Sequence, residues 1–232
     1  MVVPTSYSGP PGSGNGGWAC GLIAQTLAMP DGVPEITLHR PVPVGVRLAV
    51  HREMTGFAVH DPAERRVASV GACRAPIPPV ELPGQAWSDG VAPRHGAHHL
   101  PSCHVCGPAR SDGLRSDIRL LPDGRTSSRV VMPAIRTPAT LWAALDCPGG
   151  WTVTRPGRPW LLGRLAVAVD EVPSPGAECV VAGHAVQVAG RKALVRTTLY
   201  APDRRVLARA QATWIAPRPG RRDPVPASEE ET

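Results

Sequence analysis

Two hydrophobic rhythms run along the chain, and each occurs twice. The first strong segment is "GGWACGLIAQTLAM", residues 16–29. Trp18, Ala19, Cys20, Leu22, Ile23, Ala24, Leu27 and Met29 are apolar, and Gln25 and Thr26 interrupt them. A helix that is apolar nearly all round is buried on most sides rather than laid on a surface. Pro30 stops it and Asp31-Gly32 turns the chain. A period of two then takes over. Residues 35–42 are short and β-branched. In 46–54, Val46, Leu48, Val50 and Met54 point one way and Arg47, His51 and Glu53 the other. Two further runs, 56–61 and 65–74, flank a turn at Pro62-Ala63-Glu64. The pattern predicts one helix followed by four antiparallel strands.

The second half repeats the plan. Strands are expected at 113–121 and 126–132, around Pro122-Asp123-Gly124. A helix is expected over 137–146, with Thr137 as its N-cap and Pro138 at its first position. The run Cys147-Pro148-Gly149-Gly150 should stop it, because proline cannot continue a helix. Four strands follow, at 159–172, 178–190, 191–201 and 204–216. Between the halves the chain is rich in proline, glycine and histidine and has no period. The division expected is a first unit at 1–75, a linker at 76–101, a second unit at 102–216 and a disordered tail at 217–232. In each unit a long antiparallel sheet curls round one apolar helix, an α+β solution, and pairing the two sheets would protect their edge strands.

Composition narrows the classes. The 232 residues suit one large domain or two small ones, and 42% hydrophobic residues are enough for a core. The net charge of +6 could attract phosphates, whether of nucleic acid or of a coenzyme A type ligand. The arginines are scattered and form no basic stripe interleaved with aromatics, which argues against nucleic acid. No apolar run approaches the roughly 20 residues that span a bilayer, so no membrane insertion is expected. No charged stretch leading into an apolar one marks a secretory signal. Six cysteines are too sparse for a disulfide scaffold in a chain this long, which points to a reduced, cytoplasmic protein. Lys192 is the only lysine, and the wealth of Arg, Ala, Gly and Pro looks like GC-rich bacterial coding.

Two places carry candidate chemistry. The glycines of "GSGNGGWACGL" (12–22) lead straight into the first helix. A helix start preceded by glycine offers free N–H groups and the positive end of the helix dipole, with no side chain in the way. Gly16, Gly17 and Trp18 would supply those donors and Asn15 could orient the ligand; a plain helix start capped by Asn15 is the alternative. The other place is Asp146, the only charge in "TPATLWAALDCPGGW". A carboxylate on an apolar helix is desolvated and its pKa rises, unless it is an ordinary helix-end residue. Cys103-x-x-Cys106, with His95, His98, His99 and His104 nearby, has the spacing of half a zinc site. No second pair completes it, so no metal is expected.

Four stretches resemble the hotdog family, in which a curved antiparallel sheet wraps a central helix. "NGGWACGLIAQTL" (15–27) resembles the glycine lead-in to the hotdog helix. "CHVCGPARSDGLR" (103–115) is similar to the Cys-Phe-x-Cys-Gly-Pro-x-Asn-x-x-Gly-Leu-Arg opening of single-domain thioesterase-like members. "TLWAALD" (140–146) resembles the helix end that carries their carboxylate, nine positions after a His-Gly-Gly; Thr137-Pro138-Ala139 stands there instead. Residues 191–214 are similar to the C-terminal hairpin of double-hotdog acyl-CoA thioesterases, with Gln211 at the place of their last-strand glutamine.

The resemblance implies two tandem hotdog units hydrolysing the thioester of an acyl-CoA or an acyl carrier, with no cofactor and with a homodimer allowed. The halves look complementary. The first helix keeps the glycines but has Ala24 where an acid would fall, and the second keeps Asp146 without glycines. That implies one composite site and one inactive one. Asn15, Gly16, Gly17 and Trp18 would bind the oxyanion. Asp146 would act as base on water, or as a nucleophile forming an anhydride. Gln211 would hold the water, unless it is a solvent-facing strand residue. The serine or threonine that the family carries on a later strand has its nearest match at Gly163-Arg164, which lacks a hydroxyl. A non-catalytic acyl or acyl-CoA binding protein on the same fold is therefore the alternative. A dehydratase would need an Asp/His pair that is not found.

Overall fold

The computed structural model describes residues 1–27, 32–82, 91, 98–134, 137–155 and 158–218. The first helix, α1 (Gly16–Thr26), begins where Asn15 caps it: the side-chain oxygen of Asn15 accepts the Trp18 N–H at 2.9 Å. Residues 28–31, which include the predicted end of this helix, lie outside the described residues. Four strands follow: β1 (Val33–Leu38), β2 (Ala49–Glu53), β3 (Gly56–His60) and β4 (Arg66–Cys73). The second half supplies β5 (Asp117–Leu120), β6 (Thr126–Val131), α2 (Pro138–Gly150), β7 (Leu161–Val169), β8 (Glu178–Ala189), β9 (Lys192–Tyr200) and β10 (Val206–Ile215).

The strands form one antiparallel ten-stranded sheet, in the order β2-β3-β4-β1-β7-β10-β9-β8-β6-β5. Strands of the first half occupy one end and strands of the second half the other. They meet at β1 and β7, where Ile36 faces Leu165 and Thr37 faces Arg164. Arg164 seals this seam from the side: its Nε donates to Thr37 Oγ1 at 3.1 Å and its guanidinium pairs with Glu35. Helix α2 packs over β8, β9 and β10, α1 packs over β1 and β7, and the helices pack on each other. Leu141 and Leu145 of α2 join Leu165, Val195, Leu199 and Leu207 of the sheet in one core. Each fully buried leucine contributes roughly 1.5–3 kcal/mol over an exposed one.

The structure differs from expectation in three places. Helix α2 does not stop before Pro148 but runs through it to Gly150. The carbonyls around the proline find side-chain donors: Thr197 Oγ1 donates to Leu145 O at 2.9 Å and Thr126 Oγ1 to Pro148 O at 2.7 Å. Gly149 and Gly150 then bring the last turn against Val195, Thr197 and Trp214, where a Cβ on Gly150 would stand 2.5 Å from the Trp214 ring.

Residues 12–14, which the glycines mark as a plain loop, are fixed in place. Ser13 and Gly14 are buried, Gly14 N donates to Val42 O at 2.9 Å, and Asn15 N donates to Tyr7 O at 2.8 Å. The described part of the expected linker is also tied down. Thr197 faces α2, so its neighbour Thr198 points to the other face of the sheet, where its hydroxyl accepts the Val80 N–H at 2.8 Å. Tyr200 donates to Val80 O at 2.5 Å, and Arg209 donates to Ile77 O at 3.1 Å. The chain from 77 to 82 thus covers the sheet face opposite the helices. Residues 83–90 and 92–97 of the linker, with His95, and residues 219–232 of the tail lie outside the described residues.

Candidate functional site

Two glycines bring the helices together. A Cβ on Gly17 would stand 2.5 Å from Asp146 Cβ and 2.6 Å from Trp142 O. One turn later, a Cβ on Gly21 would stand 2.5 Å from Ala139 Cα. Helix α1 therefore lies on α2 at a separation only glycine allows, and its first turn meets Asp146. The Gly17 N–H donates to Asp146 Oδ2 at 2.9 Å, and Asn15 Nδ2 donates to the same oxygen at 3.1 Å. A carboxylate at a helix N-terminus also meets the positive end of the dipole. Asn15 serves both helices, since its oxygen caps α1 while its nitrogen holds Asp146.

Asp146 is 4% exposed, and its Oδ1 is buried with no hydrogen-bond partner among the described residues. Burial raises its pKa to about 7. The Gly17 and Asn15 hydrogen bonds pull it down, and a charge on Cys103 pushes it up. A carboxyl in that range can both take and return a proton near neutral pH.

Asp146, Asn15 and Gly16 line a cavity of about 290 Å³. Its walls are largely apolar, with Leu38, Val42, Leu100, Leu162, Trp160 and Trp214 among them. Arg40, Arg191 and Arg218 are exposed residues on its border. Three thiols, Cys103, Cys106 and Cys147, also face it.

The structure thus brings Asn15, Gly16, Gly17 and Asp146 into one contact. The three N–H groups expected as donors differ in availability. Gly17 N–H is spent on Asp146 and Trp18 N–H on Asn15, while Gly16 N–H has no partner among the described residues. The Trp18 ring turns away to stack on Tyr7, with centroids 3.8 Å apart. Gln211 stands elsewhere. In β10 it pairs with Ala166 and Arg196, its Oε1 accepts from Arg196 Nε at 3.1 Å, and it does not line the cavity. The alternation that buries Ala210, Ala212 and Trp214 beneath α2 points Gln211 to the opposite face, so it is not placed to hold a water beside Asp146.

Sequence reasoning missed Cys147 and Leu162. Cys147 follows Asp146 directly, but nothing in its spacing links it to Cys103. Leu162 closes over Gly16, where a Cβ would come within 2.9 Å of Leu162 Cδ2.

No family model matches the sequence, and no curated protein does. Solved structures do match. A candidate thioesterase from Novosphingobium aromaticivorans superposes with a TM-score of 0.60 at 16% identity, over 94% of this chain and 94% of its own. The fold is hotdog-like. A candidate thioesterase II from Thermobifida fusca superposes with a TM-score of 0.56 at 16% identity, over 94% of this chain and 96% of its own. In this hotdog-like fold the helix lead-in and the carboxylate come from opposite halves of one polypeptide, 129 residues apart.

Proposed function

We propose that the chain is two hotdog units fused in tandem, hydrolysing an acyl-CoA or acyl-carrier thioester at one composite site between them. The observation that carries this reading is the hydrogen bond from Gly17 N–H to the buried carboxylate of Asp146, which lines an apolar cavity with arginines at its border. Such a cavity suits an acyl chain and a pantetheine arm, and the exposed Arg40, Arg191 and Arg218 suit phosphates.

In the proposed reaction the thioester carbonyl oxygen takes the free N–H of Gly16 at the start of α1. Asp146 accepts a proton from a water that attacks the carbonyl carbon. The tetrahedral intermediate collapses with cleavage of the C–S bond. The sulfur leaves with a proton, and the acyl group leaves as a carboxylate. Asn15 holds Asp146 in place through Oδ2, leaving Oδ1, which has no partner among the described residues, for the water.

The test is thiol release across a panel of acyl-CoA and acyl-carrier thioesters. Turnover should fall by about 10²–10⁴ in Asp146→Asn, as expected when a positioned base is removed, while binding of a non-hydrolysable analogue persists. Full activity in that variant would sink the reading. The second reading, an acyl or acyl-CoA binding protein without turnover, is favoured by the internal engagement of the Gly17 and Trp18 N–H groups. Tight binding without thiol release for every panel member would select it.

A further inference from the structure

Asp146 is followed at once by a thiol, and two more thiols lie beside it. Cys147 comes from α2; Cys103 and Cys106 come from the turn 103–107, more than 40 residues earlier. Their three Sγ atoms all lie within 4.8 Å of one another, and those of Cys103 and Cys147 are 3.7 Å apart. Two thiolates on one tetrahedral zinc, at bonds of about 2.3 Å, lie about 3.8 Å apart. One edge of a metal tripod is therefore already at its length.

A side-chain amide is aimed at two of the sulfurs. Asn15 Nδ2 approaches Cys103 Sγ at 3.7 Å and Cys147 Sγ at 3.8 Å. Gly107 closes the turn: its N–H donates to Cys103 O at 2.9 Å, and a Cβ there would stand 2.4 Å from Cys103 N. Cysteines packed only as small apolar side chains have no need of such a donor, whereas thiolates do.

We propose that Cys103, Cys106 and Cys147 form a three-thiolate site for a soft divalent cation of the zinc class, with its fourth coordination position open to the cavity that holds Asp146. All three thiols line that cavity, and among the described residues no further cysteine, histidine or carboxylate joins the group. Three protein ligands with one position free is the arrangement of a reactive zinc rather than a closed structural one. Binding is balanced by protons: the cation replaces three thiol protons, which pass to solvent, and leaves a cluster of net charge −1. The Asn15 amide is placed to meet that charge. The proposal does not depend on thioester hydrolysis, and its test reads metal and sulfur alone.

The experiment is metal analysis of the full chain produced in zinc-supplemented medium and dialysed, with cobalt(II) substitution and thiol counting. About one zinc per chain should remain. Cobalt(II) should show a thiolate-to-metal charge-transfer band in the near ultraviolet. Zinc should slow the reaction of Cys103, Cys106 and Cys147 with a thiol reagent relative to the metal-stripped chain. Cys147→Ser should lose the band, whereas Cys73→Ser, remote from the cluster, should keep it. Should Cys147→Ser fail to fold, thiol shielding in the unaltered chain decides the matter. Thiol reactivity unchanged by saturating zinc, metal retained without a charge-transfer band, or a Cys103–Cys147 disulfide that zinc does not prevent would each overturn the proposal.

Discussion

Asp146 shows how much one buried atom pair can decide. Its Oδ2 is held from α1 and its Oδ1 has no partner among the described residues, so the side chain is fixed with one oxygen open. A buried carboxyl with a raised pKa costs stability in its charged form. Asp146→Asn should therefore fold at least as stably as the parent, with an equal or higher Tm in a thermal scan at pH 8, while losing turnover. Gly17 makes the reverse case. A Cβ there meets the Trp142 carbonyl at 2.6 Å and Asp146 Cβ at 2.5 Å, and the carbonyl is main chain and cannot rotate aside. Gly17→Ala should cost about 1–3 kcal/mol by overpacking, read in urea unfolding. It should also weaken turnover, because parting the helices lengthens the Gly17–Asp146 bond.

Among the elements, the turn of the β3–β4 hairpin is organised by a buried acid. Asp61 Oδ1 accepts the N–H groups of Ala63 and Arg65 at 3.0 Å each, and Oδ2 takes Arg65 Nε at 2.8 Å. The Arg65 side-chain hydrogen bond, helped by these N–H donors and by the Arg65 charge, holds the Asp61 carboxyl below its ordinary value. A folded pKa below the unfolded one gives stability that is present above the unfolded value and is lost as pH falls through the folded one. The Tm gap between the parent and Asp61→Asn should thus be widest near neutrality and close below about pH 4. Helix α2 makes a different point. Pro148 withholds an N–H from Ala144 O, and the hydroxyls of Thr126 and Thr197 serve the neighbouring carbonyls of Pro148 and Leu145. Thr197→Val keeps the shape but removes a donor to Leu145 O, and it should cost about 1–2 kcal/mol, measured by the same unfolding scan.

For the whole molecule, the joining of the half-sheets at β1 and β7 places both helices side by side and so creates the cavity. Charge acts at this scale. Arg40→Glu should raise KM for acyl-CoA about fivefold at low salt, by roughly 1 kcal/mol of lost attraction. It should leave KM for the matching acyl-pantetheine, which has no phosphate, unchanged. A shift of both alike would place the phosphates elsewhere.

The elements themselves were readable along the chain. Periods of two and of 3.6 report which positions face the core, and that signal is local. Asn15 as a cap, the glycines before α1 and the lone charge of Asp146 were readable for the same reason: each departs from its neighbours' pattern. What the local pattern could not carry was long-range. Pro148 looked like a stop because the hydroxyls that satisfy its turn come from β6 and β9. Gln211 looked like a site residue because its type matched, but the parity of β10 relative to α2 points it away. Cys147 gave no sign of Cys103, since their approach to 3.7 Å depends on how the 103–107 turn seats against α2. The sequence by itself determined which segments are helix and strand and which residues could do chemistry, because propensity and burial pattern are written residue by residue. Only the tertiary structure decided which of those residues meet, because the meeting depends on the β1–β7 seam and on two glycines that let the helices touch.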